Sequence, residues 1–513
     1  MVRCWSCSVT EAPDLVIGSG PAGVSVAHAL LSRGRHVVML DGGKMLEPRA
    51  EARRKALAAL PVLAEADRAA WRAPQYESPP GQVRRYGSDF AIESAGETFA
   101  DTGGLELRSS RAVGGLSTLW GAAVLPYAAR DIANWPVRIE ELAPHYRQVA
   151  GLMPVSGRVD DLQAVLPGFS MAGARQIAPS VQAGVLLDRL GRVRDHLAAQ
   201  GIFAGAARHA VSDCKRCGLC LHGCPYGFIW SARAAIGSLI AKGMTHRTGV
   251  VLRVEEAGAG VRLHLAGGEV VAGARVFVAA GVLETARILM ASGGPAEMVM
   301  ADSLQAFLPM LHRWRSPTRP DLPPHHTLPQ VFVEIDHPEV SPRLVHAQVY
   351  SWNEYFRRDL MQTYGRRLPG SGALWAALAR RLMVAQVFLH SDHTARIALR
   401  QGAGGRLVAQ VMPATDSATV MQAALHRLAR GMGLAGLSAL RFASRTGGPG
   451  ASFHTGGTVP MALSTRAGQS DLSGRPYGLS LVHVVDSSVF PSIPATTITF
   501  SVMANAHRIG MLA

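Results

Sequence analysis

Cys214, Cys217, Cys220 and Cys224 follow the spacing C-x-x-C-x-x-C-x-x-x-C, and Pro225 comes next. Closely spaced thiolates in a turn-rich segment suit one corner of an iron–sulfur cubane, and this run is that of bacterial ferredoxins. Gly218 and Gly223 relieve the backbone between the ligands. Zinc sites more often pair two C-x-x-C units across a longer gap. The chain has six cysteines, too few for two all-cysteine [4Fe–4S] sites. One [4Fe–4S] cluster is therefore expected, with Cys214, Cys217 and Cys220 as ligands. The fourth ligand is Cys224 or a cysteine of the N-terminal pair Cys4-x-x-Cys7. Alternatively that pair is unligated.

A second constellation lies near the N-terminus. Gly18, Gly20 and Gly23 form G-x-G-x-x-G directly after Asp14-Leu-Val-Ile17. The first glycine permits a tight turn, the second lets the backbone approach a pyrophosphate, and the third allows close helix–strand contact. Pro21 and Ala22 open the helix, whose N-terminus offers N–H groups and a positive dipole end to phosphate. The next strand ends in Asp41, at the spacing expected for a carboxylate on a ribose hydroxyl. The unit suits NAD or FAD.

The rest of the chain favours FAD. Three further stretches resemble the glucose–methanol–choline (GMC) oxidoreductases. They are Arg111-Ala-Val-Gly114-Gly115-Leu-Ser117-Thr-Leu119-Trp120-Gly121, Val276-Phe-Val-Ala-Ala280-Gly281 with Glu284-Thr-Ala-Arg287, and Val485-Asp486-Ser-Ser-Val-Phe490-Pro491. The resemblance implies flavin contacts at Gly114, Gly115, Ser117, Trp120, Gly121, Ala280, Gly281, Asp486 and Phe490. Val251, in the strand-like stretch 250–254, joins this expected cofactor-binding set. Pyranose-oxidase-like members carry Ser-Thr-His-Trp in the first stretch, with the histidine bonded to the flavin. Leu119 stands there in this chain, so a non-covalent FAD is expected.

Phe453-His454-Thr-Gly456-Gly457-Thr458 resembles the family's catalytic-histidine motif. Oxidising an alcohol carbon moves a hydride to the flavin while the hydroxyl proton leaves. A neutral imidazole, with an ordinary pKa of about 6.5, suits that proton. The family's second catalytic His or Asn falls on Thr497, which donates a hydrogen bond but is a weak base. His454 is therefore expected to carry the proton transfer, with Thr497 orienting the substrate. Asn505 and His507, on the following helix, read as structural.

These residues require an α/β fold. The expectation is an FAD-binding Rossmann-type domain in discontinuous segments (1–130, 246–300 and 451–513), a connecting region with the cysteine run at 131–245, and a mixed-sheet substrate domain at 301–450. Strand and helix patterns fall at 14–17, 22–32, 36–40, 250–254, 261–265 and 276–279, with a helical pattern near 50–70 and a helix at the C-terminal end. Segment 316–329 reads as a loop. Residues 371–389 read as an amphipathic helix on a membrane or at a hydrophobic substrate mouth, or as an ordinary core element. His390 and His393 are candidates for the substrate pocket or for the surface.

The chain has 513 residues, 48% hydrophobic and 17% charged, with a net charge of +15. This is a globular composition for about two to four domains. No apolar run reaches the roughly 18 residues that suggest a spanning helix. Basic residues, nearly all arginine, are dispersed, so nucleic acid is not an expected partner. No signal peptide is read at the N-terminus, and a cytoplasmic location is expected, with peripheral contact at the inner membrane face as an option.

FAD takes two electrons together, whereas an iron–sulfur centre moves one at a time. The expected activity is thus a dehydrogenase of a small-molecule alcohol or sugar, free or lipid-linked, passing electrons to ferredoxin or a membrane carrier. The alternatives are a reductase running electrons the other way, to a carbonyl or alkene, and a non-catalytic electron-transfer protein.

Overall fold

The structure is a computed structural model, described here over residues 12–72, 90–313, 325–353 and 381–513. Cys4, Cys7 and residues 371–380 lie outside these ranges. The strands that position the site are β1 (Asp14–Ile17), β2 (Val37–Asp41), β3 (Ile202–Ala206), β4 (Thr245–Thr248), β5 (Arg275–Val278), β6 (Gln305–His312), β7 (Val331–Ile335), β8 (Val345–Ser351), β9 (Leu382–Phe388), β10 (Leu437–Ala439) and β11 (Val482–Val484). The helices are α1 (Pro21–Ser32), α2 (Val181–Arg192), α3 (Val282–Ala291), α4 (Ser417–Leu434) and α5 (Thr499–Leu512).

A parallel sheet runs in the order β11-β5-β1-β2-β4. Every residue of β1 and β2 is buried, as expected for a sheet covered on both faces. Its members come from the start, middle and end of the chain. The strand-like stretches 250–254 and 261–265 form an antiparallel sheet with Val270–Gly273, a third strand that sequence patterning did not single out.

The second large sheet runs β10-β6-β9-β8-β7-β3, and the short strand Arg445–Thr446 also pairs with β6. Its strands alternate strictly. Ala306, Leu308, Ala347, Val349, Ala385 and Val387 face α2 and α4 in one apolar cluster. On α4, Met421, Leu425, Leu428 and Met432 recur at helical spacing and are all buried. Each such side chain contributes about 1.5–3 kcal/mol on burial. The opposite face of the sheet presents Gln305, Phe307, Gln348, Tyr350, Gln386 and Phe388 to a large cavity.

Residues 382–388 are thus the β9 strand inside this sheet, which corrects the amphipathic-helix expectation for that part of 371–389. The reason is pairing: β9 bonds β6 on one side and β8 on the other, which makes 382–388 an interior strand of the sheet. No helix among the described residues is long and apolar enough to cross a membrane.

Candidate active site

One cavity of about 1360 Å³ runs from the glycine turn after β1 to the polar face of the second sheet. At its near end, Gly18 has φ +97°, and a Cβ there would lie 2.4 Å from the Ala279 carbonyl oxygen. A Cβ on Gly23 would stand 1.9 Å from the Gly18 oxygen. By contrast, a Cβ on Gly20 would meet nothing within 4 Å. The first and third glycines therefore close the strand–helix corner, while the second borders open space where a phosphate can approach. The N-terminus of α1 has Pro21 at its first turn and no side-chain cap, leaving its N–H groups toward that space.

Asp41 ends β2 on the cavity wall. Its Oδ2 lies 2.9 Å from His246 Nε2, and its Oδ1 accepts from the Gly43 N–H at 2.8 Å. Burial works to raise its pKa, but hydrogen bonds from His246 and Ser19 hold it below the ordinary value. The carboxylate is thus kept ionised at a fixed position. Its partner His246 is raised in turn, chiefly by the hydrogen bond to Asp41.

Gly115, Ser117, Trp120 and Gly121 line the cavity, as do Pro21, Ala22, Val251, Ala280 and Gly281. Gly114 sits behind this wall; its N–H donates to Ser19 Oγ at 3.0 Å. Trp120 Nε1 donates to the Trp230 carbonyl at 2.8 Å, which fixes the indole on the wall.

Asp486 has both carboxylate oxygens engaged. Oδ2 accepts from the Gly281 N–H at 2.9 Å and the Thr285 hydroxyl at 2.6 Å, and Oδ1 accepts from the Ser488 N–H at 2.9 Å. It clamps the start of α3 to the loop after β11 and borders the cavity. Phe490 lies elsewhere. It is fully buried against Trp135 (ring centroids 4.6 Å apart) and Tyr127, and it is not among the residues lining the cavity. Its ring packs the loop corner into the core.

At the far end stand His454 and Thr497. Asp302 Oδ1 accepts from the Ser452 hydroxyl at 2.6 Å, Asp302 Oδ2 accepts from the Gly450 N–H at 2.6 Å, and Ser452 Oγ accepts from the His454 N–H at 3.0 Å. Phe453 adopts φ +63°, a left-handed conformation for a bulky residue. The Phe388 ring stacks on the imidazole, with centroids 5.0 Å apart. Behind Phe388 lies His346, whose Nδ1 is 2.7 Å from Glu334 Oε1. Burial, and then His346, push the His454 pKa down to about 4. His454 is consequently a neutral imidazole over the ordinary pH range. Among the described residues, its Nδ1 and the Thr497 hydroxyl are both buried without a hydrogen-bond partner. Both residues line the cavity, and an unsatisfied polar atom on each suits a ligand that completes its bonds.

This arrangement fits FAD. The open space over Gly20 and the helix end suit a pyrophosphate, Asp41 suits a ribose, and the wall from Gly115 to Gly121 leads on to His454.

Cys220 and Leu221 reach the same cavity wall. Cys220 Sγ accepts from the Thr327 N–H at 3.4 Å. Burial raises the Cys214, Cys217 and Cys220 thiols, with neighbouring cysteines adding to the effect, and Cys217 is pushed up to about 11. The cysteines thus lie within electrostatic reach of one another. Among the described residues, however, no group of three or more His, Cys, Asp or Glu side chains is arranged to hold a metal ion.

His390 and His393 do not line the cavity. His390 accepts the Asp392 N–H at 3.0 Å and its Nε2 lies 3.2 Å from the Asp131 carbonyl oxygen; His393 pairs with Asp416 and Ser341. The pocket residues that sequence reading missed are Gln305, Gln348, Tyr350, Gln386 and Phe388. Their signal was present as alternation: Val345, Ala347 and Val349 alternate with His346, Gln348 and Tyr350.

Residues 386–506 match the family model described as GMC oxidoreductase. No curated protein matches the chain. Among solved structures, the crystal structure of pyridoxine 4-oxidase from Mesorbium loti shares the fold, with a TM-score of 0.62. The match covers 98% of this chain and 99% of that one, at 15% sequence identity.

Proposed function

We propose that this protein is an FAD-dependent oxidoreductase that oxidises a hydroxyl-bearing carbon. The observation that carries the reading is that His454 and Thr497 both line the cavity that begins at the glycine turn, each with a polar atom (Nδ1 and Oγ1) unpartnered among the described residues. The GMC match over 386–506 supports it, because that stretch contains both residues.

Bound FAD supplies a two-electron acceptor for the hydride leaving the substrate carbon. The chain supplies the rest. Thr497 donates a hydrogen bond to the substrate oxygen and sets its orientation. His454, neutral because burial holds its pKa near 4, accepts the hydroxyl proton as the carbonyl forms. Phe388 holds the imidazole plane, and the Asp302–Ser452 chain fixes the backbone that presents it. The substrate thus loses one hydride and one proton and becomes a carbonyl compound. Leu119 cannot form a bond to the flavin, so the cofactor is held without a covalent link.

The finer reading adds a [4Fe–4S] cluster on Cys214, Cys217, Cys220 and Cys224, making the enzyme a dehydrogenase that serves a one-electron carrier. The ligand spacing supports it, as does Cys220 on the cavity wall. The hydride and proton transfers need only the flavin and the residues around His454.

The test is anaerobic reduction of the purified holoenzyme by alcohols. Bleaching of the flavin by an alcohol without another reductant is expected. Flavin that dithionite reduces but no alcohol bleaches would overturn the proposal. Iron at about four atoms per chain, and turnover with ferredoxin rather than oxygen, are expected on the finer reading; iron-free protein that consumes oxygen refutes it.

A further inference from the structure

We propose that the turn after β10, together with the outer face of α4, docks the protein on an anionic lipid surface. This goes beyond the reaction proposed above and does not depend on it, because docking is read without turnover.

Between Asp416 and Asp471 the sequence holds no Asp or Glu, yet it holds Arg427, Arg430, Arg441, Arg445 and Arg466. The whole chain has 37 acidic residues among 513, so this gap is a local feature. The fold gathers part of the excess charge. Arg430 lies one turn beyond His426 on the exposed face of α4, opposite the buried Leu425 and Leu428. Arg441 Nη1 donates to His426 Nδ1 at 2.9 Å, which ties the turn after β10 to that face. Arg313, just past β6, donates through Nε to Ser438 Oγ at 3.2 Å, and its backbone N–H donates to the Gly436 carbonyl at 3.0 Å. Among the described residues, Arg313, Arg430 and Arg441 have no carboxylate partner.

An apolar tip stands in this cationic frame. Phe442, next to Arg441, is 90% exposed, and Leu434, one turn beyond Arg430, is 46% exposed. Single exposed apolar side chains are ordinary on protein surfaces. Phe442 differs because almost its whole ring meets water beside arginines that no carboxylate neutralises. A bilayer answers both needs at once. The ring enters the acyl boundary, while the long arginine stems let their heads stay among lipid phosphates. An acidic protein would satisfy the arginines but would also need a pocket shaped for the ring. Position agrees as well. Phe442 precedes Arg445, whose backbone pairs with Phe307 of β6, and Phe307 lines the cavity. The loop then continues to Phe453 and His454 on the cavity wall. The docked face therefore adjoins the substrate end of the cavity and not the glycine turn.

The experiment is cosedimentation of the flavin-loaded protein with phosphatidylcholine vesicles, with and without phosphatidylglycerol. The protein should pellet with the anionic vesicles only. It should leave them as salt rises to about 1 M, where the screening length is about 3 Å. Arg430→Glu combined with Arg441→Glu should weaken binding at least about tenfold. Phe442→Ser should weaken it by about tenfold, since the buried ring is lost. Phe442→Trp should keep binding and add a blue-shifted emission component on anionic vesicles. Arg147→Glu combined with Arg192→Glu, two exposed arginines elsewhere, makes the same change in net charge and should bind like the wild type. Flavin content and melting temperature check that each variant is folded. Failure of the wild type to pellet with anionic vesicles overturns the proposal. An equal loss in the Arg147 and Arg192 pair also overturns it, because net charge alone would then explain binding. Trp emission that does not shift in bound protein rules out the inserted ring and the proposal with it. Binding to polyglutamate but not to vesicles would assign the patch to an acidic protein instead.

Discussion

The Thr285 hydroxyl donates to Asp486 Oδ2 at 2.6 Å, tying the first turn of α3 to the loop that follows β11. The two residues are 201 positions apart in the chain. The Gly281 N–H shares the same oxygen, and Ser488 holds the other. Asp486→Ala removes the acceptor and strands three donors in a buried place. Each stranded donor costs about 1–3 kcal/mol. The variant should denature at clearly lower urea concentration, and its apoprotein should bind FAD at least about tenfold more weakly. Wild-type denaturation and flavin quenching curves would refute the clamp.

His454→Ala should leave FAD bound and slow anaerobic flavin reduction by roughly 10²-fold or more, the usual scale for a lost general base. Thr497→Val should slow it by about tenfold, as expected for one orienting hydrogen bond. Stopped-flow absorbance in single turnover measures both. A larger loss at Thr497 would reverse the two roles.

The same step has a pH signature. The His454 pKa is depressed to about 4, so the base stays unprotonated as pH falls from 8 toward 5. The rate of flavin reduction should be flat on that side and drop only near pH 4. A fall centred near 6.5 would mean that the imidazole is not held in a desolvated place.

Acid should also weaken the fold through other histidines. His145 Nδ1 lies 2.9 Å from His507 Nδ1, with the His28 ring beside them. Burial, then His145 and His28, depress His507 to about 4. A depressed histidine binds fewer protons folded than unfolded. Its stabilisation is complete above the unfolded pKa, about 6.5, and is lost as pH falls toward 4. The melting temperature should decline across that window, and His507→Asn should flatten the decline. An equally steep decline in the variant would rule out this source.

Gly23→Ala should abolish FAD retention or folding, because its Cβ would stand 1.9 Å from a backbone oxygen. Gly20→Ala has space and should fold, losing flavin affinity alone. Flavin content after gel filtration separates the two. Equal retention in both variants would remove the distinction between the glycines.

The sequence by itself determined the local parts. The β1–α1 turn was legible because three glycines obey a short-range steric rule, and Asp41 followed from the length of one helix and one strand. Most of the expected cavity residues, from Gly18 to Gly281, lie on such short motifs. The cysteine spacing was equally plain, but spacing fixes order along the chain and not convergence in space, so it carries the cluster only as a proposal. Phe490 shows the converse: its motif was legible, but Trp135 and Tyr127 pack its ring into the core. The glutamine cluster was hidden. Gln305, Gln348 and Gln386 come from strands tens of residues apart, and a lone glutamine in an apolar strand carries no local signal. Only sheet register brings them into hydrogen-bonding reach of one another and of Tyr350.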